Sequence, residues 1–447
     1  MTTLALILSL LRKFAFSLIG VQLFCLLLSP VSSAQNYKML NTRQSGKDTP
    51  YLSRQTTTVA PNEFYTFEND FGFTSVAVGS SPSADFRGAY LIVGQDTIFL
   101  QEDIHQSEED SLKYAVLLVF EETRYSFRFY TGPLSGPISI SLLNARQGQT
   151  EARRQAAWFS KSLSEMSDEI CEQPALIPQS VWRTGLPAPS YTRTETEVRH
   201  VIVHHSAGSN TSTDHLNTVR NIYLFHTQDR GWSDIGYNFL VARDGTIFQG
   251  RSFGDENTDS GSIRGAHFCG QNSNTMGICM LGNFNTALPT DTALTSLQRL
   301  TAWKLQQEDL DPLESFTHPA NANLGVIAGH RNGCATECPG SHLYARLDEV
   351  RLSVAAYLED DCGDGEEAPI ALRVFPVPLA GEGSLRLAEG QILHELRLID
   401  MRGKQWPLTA YRQDELWKFD ASGLAAGMYI LRIIGPDFQH ERKLLIY

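Results

Sequence analysis

Gly329-His330-Arg331-Asn332-Gly333-Cys334-Ala335-Thr336-Glu337-Cys338-Pro339-Gly340 sets a cysteine eight positions after a histidine, in a stretch bounded by glycine and proline. Far upstream, Val201-Ile202-Val203-His204-His205-Ser206-Ala207 carries an apolar strand into histidine. Imidazole and thiolate are zinc donors. Three protein ligands leave a tetrahedral ion one position for water, the pattern of a catalytic site, whereas a structural site fills all four. His204, His330 and Cys338 are therefore read as the ligands of one zinc ion. A lone histidine in a strand is more often a satisfied core residue, so the reading rests on all three together.

Working outward, strands and helices interleave around these segments. Val198 to Val203 forms the strand that leads into the first histidines. Asp214 to Gln228 places Leu216, Val219, Tyr223 and His226 at three- and four-residue steps, a helical period. Tyr237, Phe239 and Val241 alternate along a strand, and Asp244-Gly245 turns it into Thr246-Ile247-Phe248. Met276 to Leu281 is a buried strand, Asp291 to Gln307 is helical, and Leu343, Leu347, Val350, Val354 and Tyr357 line a last helix. The pattern predicts a mixed α/β domain, a central sheet with packed helices, over 171–362.

The flanks differ. Over 35–150, Tyr125, Phe127 and Phe129 alternate with polar neighbours, as do Ile138, Ile140 and Leu142, which predicts an N-terminal β-sandwich without a catalytic constellation. Residues 151–170 read as a connection leading into Pro174, Pro178, Pro187 and Pro189, with Ile177 to Arg183 as apolar anchors for the central domain. An acidic linker occupies 363–369. Residues 370–447 return to short strands, at Leu396 to Ile399, Tyr429 to Ile433 and Lys443 to Ile446, and predict a small C-terminal β-sandwich.

The 447 residues accommodate two to four domains at about 100–200 residues each. A hydrophobic fraction of 42% excludes a disordered chain. A net charge of -13 argues against non-specific nucleic-acid binding, which needs Lys and Arg to neutralise phosphates. Residues 1–34 read as a signal peptide: Arg12 and Lys13, an apolar run from Phe14 to Leu28, and Ser32-Ser33-Ala34 for cleavage. The rival reading, a membrane anchor, is opposed by the short run with Ser17 and Gly20 and by the lack of a second apolar run of spanning length. Export, no stable membrane span after signal removal, and a secreted or cell-surface location follow. Of seven cysteines, loss of Cys25 with the signal leaves six. An oxidising destination permits disulfides, and Cys171–Cys362 and Cys269–Cys334 are possible pairs. Cys279, inside an apolar run, reads as a buried thiol.

The central domain resembles the peptidoglycan recognition protein and type 2 N-acetylmuramoyl-L-alanine amidase family. The matching segments are Val201 to Ala207, Gly231-Trp232-Ser233-Asp234-Ile235-Gly236-Tyr237-Asn238-Phe239, Arg243-Asp244-Gly245-Thr246-Ile247-Phe248-Gln249-Gly250-Arg251, Gly265-Ala266-His267, Met276-Gly277-Ile278 and Gly329 to Gly340, in the family's order. The resemblance implies one zinc on His204, His330 and Cys338, and hydrolysis of the amide between muramic acid and L-alanine. It implies Tyr237 as an active-site tyrosine. Thr336 falls where the family has lysine or threonine able to hydrogen-bond an oxyanion. His267, Arg251 and His226 are expected to contact substrate, and His205 to be structural. Alternatives are a non-hydrolytic peptidoglycan-binding protein using the same groove, and an adhesin-like surface protein whose zinc has a fourth ligand in Cys334. The C-terminal module resembles the type nine secretion sorting domain of Bacteroidetes. The resemblance lies in Val374-Phe375-Pro376-Val377-Pro378, Ile399-Asp400-Met401-Arg402-Gly403, Asp420 to Leu424, Gly427-Met428-Tyr429-Ile430 and Lys443 to Tyr447. It implies the type nine secretion machinery as a partner; a plain spacer or carbohydrate-binding sandwich is the other reading.

Overall fold

The computed structural model describes residues 37–103, 112–163, 173–190, 194–252, 260–360, 373–375, 381–387, 392–400, 402–413, 416–425, 427–436 and 438–446. The signal segment, Cys171, Cys362, the linker 363–369, and Pro376 to Pro378 lie outside the described residues.

Six strands make the central sheet, in the order Leu176–Ile177, Ile247–Gln249, Phe239–Val241, Thr275–Met280, His200–His205, Ile327–Gly329. Phe239–Val241 and Ile247–Gln249 form the antiparallel hairpin. The turn holds Gly245 at a φ of 86°, where a side chain is strained, which is why glycine follows Asp244. Every other neighbouring pair is parallel. All six residues of His200–His205 and of Thr275–Met280 are buried, as expected of strands covered on both faces. Alternation divides the faces. Val201, Val203, Ile278 and Met280 pack with Leu294, Leu297 and Leu300 of the helix Asp291–Glu308 and with Val350 and Val354 of the helix Leu347–Asp360. The first of these helices is capped by Thr290, whose side chain accepts from the Ala293 N–H. On the other side, Leu240, Cys279 and Leu281 share a core with Val219 and Tyr223 of the helix His215–Leu224. That helix is shorter than its sequence period predicts: it gives way to a π-turn over Phe225–Asp229. A mixed α/β domain is thus what the chain forms here.

The N-terminal region is β-structure, but among the described residues it is one hydrogen-bonded nine-stranded network rather than two separately paired sheets. The long strand Phe64–Ser80 pairs antiparallel with both Leu118–Tyr130 and Gly136–Leu143. Phe67, Phe73, Val76, Phe127, Phe129 and Ile140 fill its core. The connection expected over 151–170 is corrected: Gln149–Leu163 is a helix. Its Ala152, Ala156 and Phe159, at steps of four and three, bury against Trp182, Tyr223 and the sheet residues Leu143 and Ala77. The N-terminal region and the central domain therefore share one core. At about 1.5–3 kcal/mol per buried large apolar side chain, this contact holds the two as one body.

Buried polar groups fix the register of that contact. Arg220 is fully buried, and its guanidinium donates to the carbonyls of Ala145, Gln147, Trp182 and Thr184, so one side chain ties together three segments. Burial, helped by the Arg153 charge, pulls its pKa down to about 10, so it remains a cation at neutral pH. Arg54 donates to the buried carboxylate of Asp229 at 2.7 Å, which Ser141 also approaches. Asn221 Oδ1 accepts from Thr74 and Ser75 at 2.8 Å each. Among its described residues the C-terminal module has two four-stranded sheets whose Leu385, Phe419, Leu398, Leu431 and Leu444 meet in one core.

Arg220→Met keeps the stem but removes the donor to four carbonyls, two of them buried and two partly buried. It is expected to cost roughly 3 kcal/mol in chemical denaturation. A loss below about 1 kcal/mol would show that the shared core alone joins the two regions.

Candidate metal centre and cleft

His204 sits near the end of the strand His200–His205, and His330 directly follows the neighbouring parallel strand Ile327–Gly329. Their register, Val203 opposite Gly329, sets the two histidines side by side; their ring centroids are 4.5 Å apart. Carboxyl ends of parallel strands are where open α/β sheets place ligands. Gly329 N–H donates to Asn332 Oδ1 at 2.8 Å, which tightens the turn carrying His330. The loop then returns: Arg331 N–H donates to the Cys338 carbonyl at 2.9 Å. Cys338 Sγ lies 3.7 Å from His204 Nδ1, and the His205 N–H donates to the sulfur at 3.3 Å. One donor atom each from His204, His330 and Cys338 lie within 4.8 Å of one another, and all three residues are buried. Donors bound tetrahedrally to one zinc ion stand roughly 3.5 Å apart, so the donor set and its spacing fit the ion.

Cys334 is not available as a fourth ligand. It is bonded to Cys269, closing a separation of 65 residues. Among the described residues no other His, Cys, Asp or Glu joins the three. Cys279 is a free buried thiol, as its apolar run predicts.

Tyr237 is buried, with its ring 5.4 Å from that of His204. Burial, together with the thiols of Cys279 and Cys338, raises its pKa well above the usual tyrosine value, so the hydroxyl keeps its proton. Thr336 is half-buried on the Cys338 loop, and its hydroxyl accepts from the Cys338 N–H at 3.1 Å. The expected substrate contacts fare differently. His267 is buried behind the cluster: its Nδ1 lies 3.0 Å from His204 Nε2, and its Nε2 lies 3.4 Å from Thr275 Oγ1. It is placed to fix the ring of His204 rather than to meet substrate. His226 is also packed inward. It stacks on Trp232 at 4.5 Å and accepts from the Gly236 N–H at 3.2 Å. Arg251 does line a cleft, with Trp232 and Arg264, although its Nε and Nη1 donate to the carbonyls of Ile235 and Arg264. Arg264, exposed in the same cleft, was missed from sequence because a lone arginine before Gly265 carries no pattern. His205 turns to the opposite face, where its Nδ1 accepts from the Phe284 N–H at 3.2 Å.

The central domain is similar to known proteins. A family model described as N-acetylmuramoyl-L-alanine amidase matches residues 194–341. Peptidoglycan-recognition protein SC2 of Drosophila melanogaster is 30% identical over 194 residues, covering 42% of this chain and 95% of the relative. Peptidoglycan recognition protein 1 of Mus musculus is 30% identical over 171 residues, covering 38% of this chain and 84% of the relative. Among solved structures, wild-type Drosophila PGRP-LB is 31% identical with a TM-score of 0.32, covering 39% of this chain and 92% of that one. The chain belongs to the peptidoglycan recognition protein and N-acetylmuramoyl-L-alanine amidase family.

Removing the ring behind a metal-binding histidine typically weakens metal affinity by about ten- to a hundredfold. His267→Ala is expected to raise the zinc dissociation constant by that factor in competition with a chromogenic chelator. Unchanged affinity would make His267 a packing residue only.

Proposed function

We propose that this chain is a secreted, zinc-dependent N-acetylmuramoyl-L-alanine amidase that cleaves the amide joining muramic acid to L-alanine in peptidoglycan. The observation that carries the reading is the convergence of His204, His330 and Cys338, with no other His, Cys, Asp or Glu grouped with the three among the described residues. A family that also contains binding proteins makes this the deciding feature, because two nitrogens and one sulfur leave a tetrahedral ion open to water. His204, His330 and Cys338 would hold zinc, which would supply Lewis acidity for the scissile carbonyl and an activated water, with a pKa of about 7, at neutral pH.

The chain's own groups do the rest. Tyr237, protonated because it is buried, donates a hydrogen bond where negative charge develops on the carbonyl oxygen. Thr336 offers a second, neutral hydroxyl donor from the Cys338 loop. His267, 3.0 Å from His204 Nε2, would hold the His204 ring while its Nδ1 served as the zinc donor. Arg251 and Arg264 give the adjoining cleft positive charge suited to the carboxylates of a peptide stem. Export rests on residues 1–34 as a signal peptide, and the C-terminal module is read as a sorting domain for the type nine secretion machinery.

Digestion of purified sacculi, followed by mass analysis, tests the reading. The parent chain is expected to release peptides beginning with L-alanine, and chelator or Cys338→Ser to abolish release. Tyr237→Phe should retain metal and lose about a hundredfold in turnover. Binding of muropeptide without release by the parent chain would make it a recognition protein. Full activity in Cys338→Ser would remove the ligand assignment.

A further inference from the structure

The N-terminal β-region does more than pack against the central domain. One wall of a cleft of about 810 Å³ is formed by its Ser83, Phe86, Arg87 and Glu102, and the other by Ala207, Asn285 and Glu337 of the central domain. His205 also lines this cleft; its N–H donates to the Cys338 sulfur at 3.3 Å while its ring faces away from His204, so the cleft lies next to the metal cluster across the strand His200–His205. It is distinct from the cleft of Arg251 and Arg264. Thr194 and Ser273 of that arginine cleft precede the strands His200–His205 and Thr275–Met280, whereas Ala207 and Asn285 follow them. The two clefts therefore lie at opposite ends of the same parallel strands, and the metal cluster, at their carboxyl ends, is on the side of the second cleft.

Their chemistry differs as well. The first cleft has two arginines and no carboxylate among its lining residues, which favours an anion. In the second, the cations are matched within the protein. Lys113 meets Glu102 at 2.7 Å, and Arg87 meets Asp85 at 2.7 Å. Neutral amides add donors and acceptors: Asn285 Nδ2 donates to Glu337 at 3.3 Å, and Asn283 Nδ2 bridges the two regions to Gln101 at 2.9 Å. Phe86 and Leu100 lie buried beneath. An amide-rich wall whose two cations are already paired and whose one further carboxylate, Glu337, accepts from an amide, set over an apolar floor, suits a neutral ligand with many hydroxyls and apolar ring faces. It does not suit a peptide carboxylate or a phosphate.

We infer that this second cleft is a glycan subsite, in which the N-terminal region binds the aminosugar strand on the non-peptide side of the scissile amide. The inference rests on the amidase reading for which side of the substrate enters which cleft. Because the shared core and Arg220 fix the N-terminal wall in place, the subsite is preformed. The N-terminal region is then part of the substrate-binding machinery, and it selects for glycan length.

The test uses the full chain and three substrates that carry the same peptide on one, two or four sugars. The parent's kcat/KM is expected to rise about tenfold or more from one sugar to four, the gain of a few added hydrogen bonds. Ser83→Trp, which fills the cleft from an exposed position, should collapse that ratio toward one. Arg87→Ala, at a largely exposed side chain, should reduce it partially. Thermal unfolding confirms that both variants fold. A second arm measures binding of peptide-free tetrasaccharide glycan by calorimetry, with Cys338→Ser as the host so that hydrolysis does not enter. Binding that Ser83→Trp removes sustains the subsite even if the parent cleaves nothing, an outcome that would overturn only the amidase reading. A length-independent parent, a ratio unaffected by Ser83→Trp, or absence of glycan binding would overturn the subsite.

Discussion

The pairing of two parallel strands, Val201–Val203 against Ile327–Gly329, is the constraint on which the site depends. It brings together residues more than a hundred positions apart in the chain, and it does so through backbone hydrogen bonds rather than through the metal. The apolar residues on one face, Val201 and Val203, are locked against two helices, so the alternate face must present His204. A slip of one residue would exchange His204 for His205. The loop that follows His330 then has only to return one sulfur, which the His205 N–H and the Arg331–Cys338 backbone bond hold. The ligand set is in this sense a consequence of sheet register, and the ion would complete an arrangement that packing has already made.

Around that point the protein is more integrated than a string of modules. The helix His215–Leu224 presents Leu216, Val219 and Tyr223 to a core built jointly with the N-terminal region. Its polar residues Asn217, Arg220 and Asn221 satisfy backbone and side chains of that region. Such buried polar links cost free energy unless every partner is in place, so they specify one relative placement of the two regions. The structural result is an N-terminal wall beside Glu337 that lines the second cleft.

Much of the central domain was legible in the amino-acid sequence because its signals are strong ones. The Asp244-Gly245 turn, the buried strand ending in Met280, and the helix that Thr290 caps each combine a period with a boundary residue. The three residues proposed as zinc ligands could be grouped from the sequence because loop glycines, donor chemistry and family motifs agree, and the structure brings their donor atoms together. Other features were not legible. The helix Gln149–Leu163 is rich in Arg, Gln and Ser, and its apolar stripe of Ala152, Ala156 and Phe159 is thin. Only the partner surface makes it a core element. His267 and His226 sit in motifs that border the cleft, but which way a side chain turns there is decided by neighbours: His204 Nε2 for one, Trp232 for the other. The N-terminal cleft wall had no sequence signal, since Ser83, Arg87 and Glu102 become neighbours of Glu337 only through the shared core.

The central claim is a single zinc held by two nitrogens and one sulfur with its remaining position open to solvent. X-ray absorption at the zinc edge on the purified full chain tests it most directly. One sulfur at roughly 2.3 Å and three nitrogen or oxygen neighbours at roughly 2.0–2.1 Å are expected, with the sulfur lost in Cys338→Ser. Two sulfurs at the metal, or a chain that retains no zinc, would contradict the account.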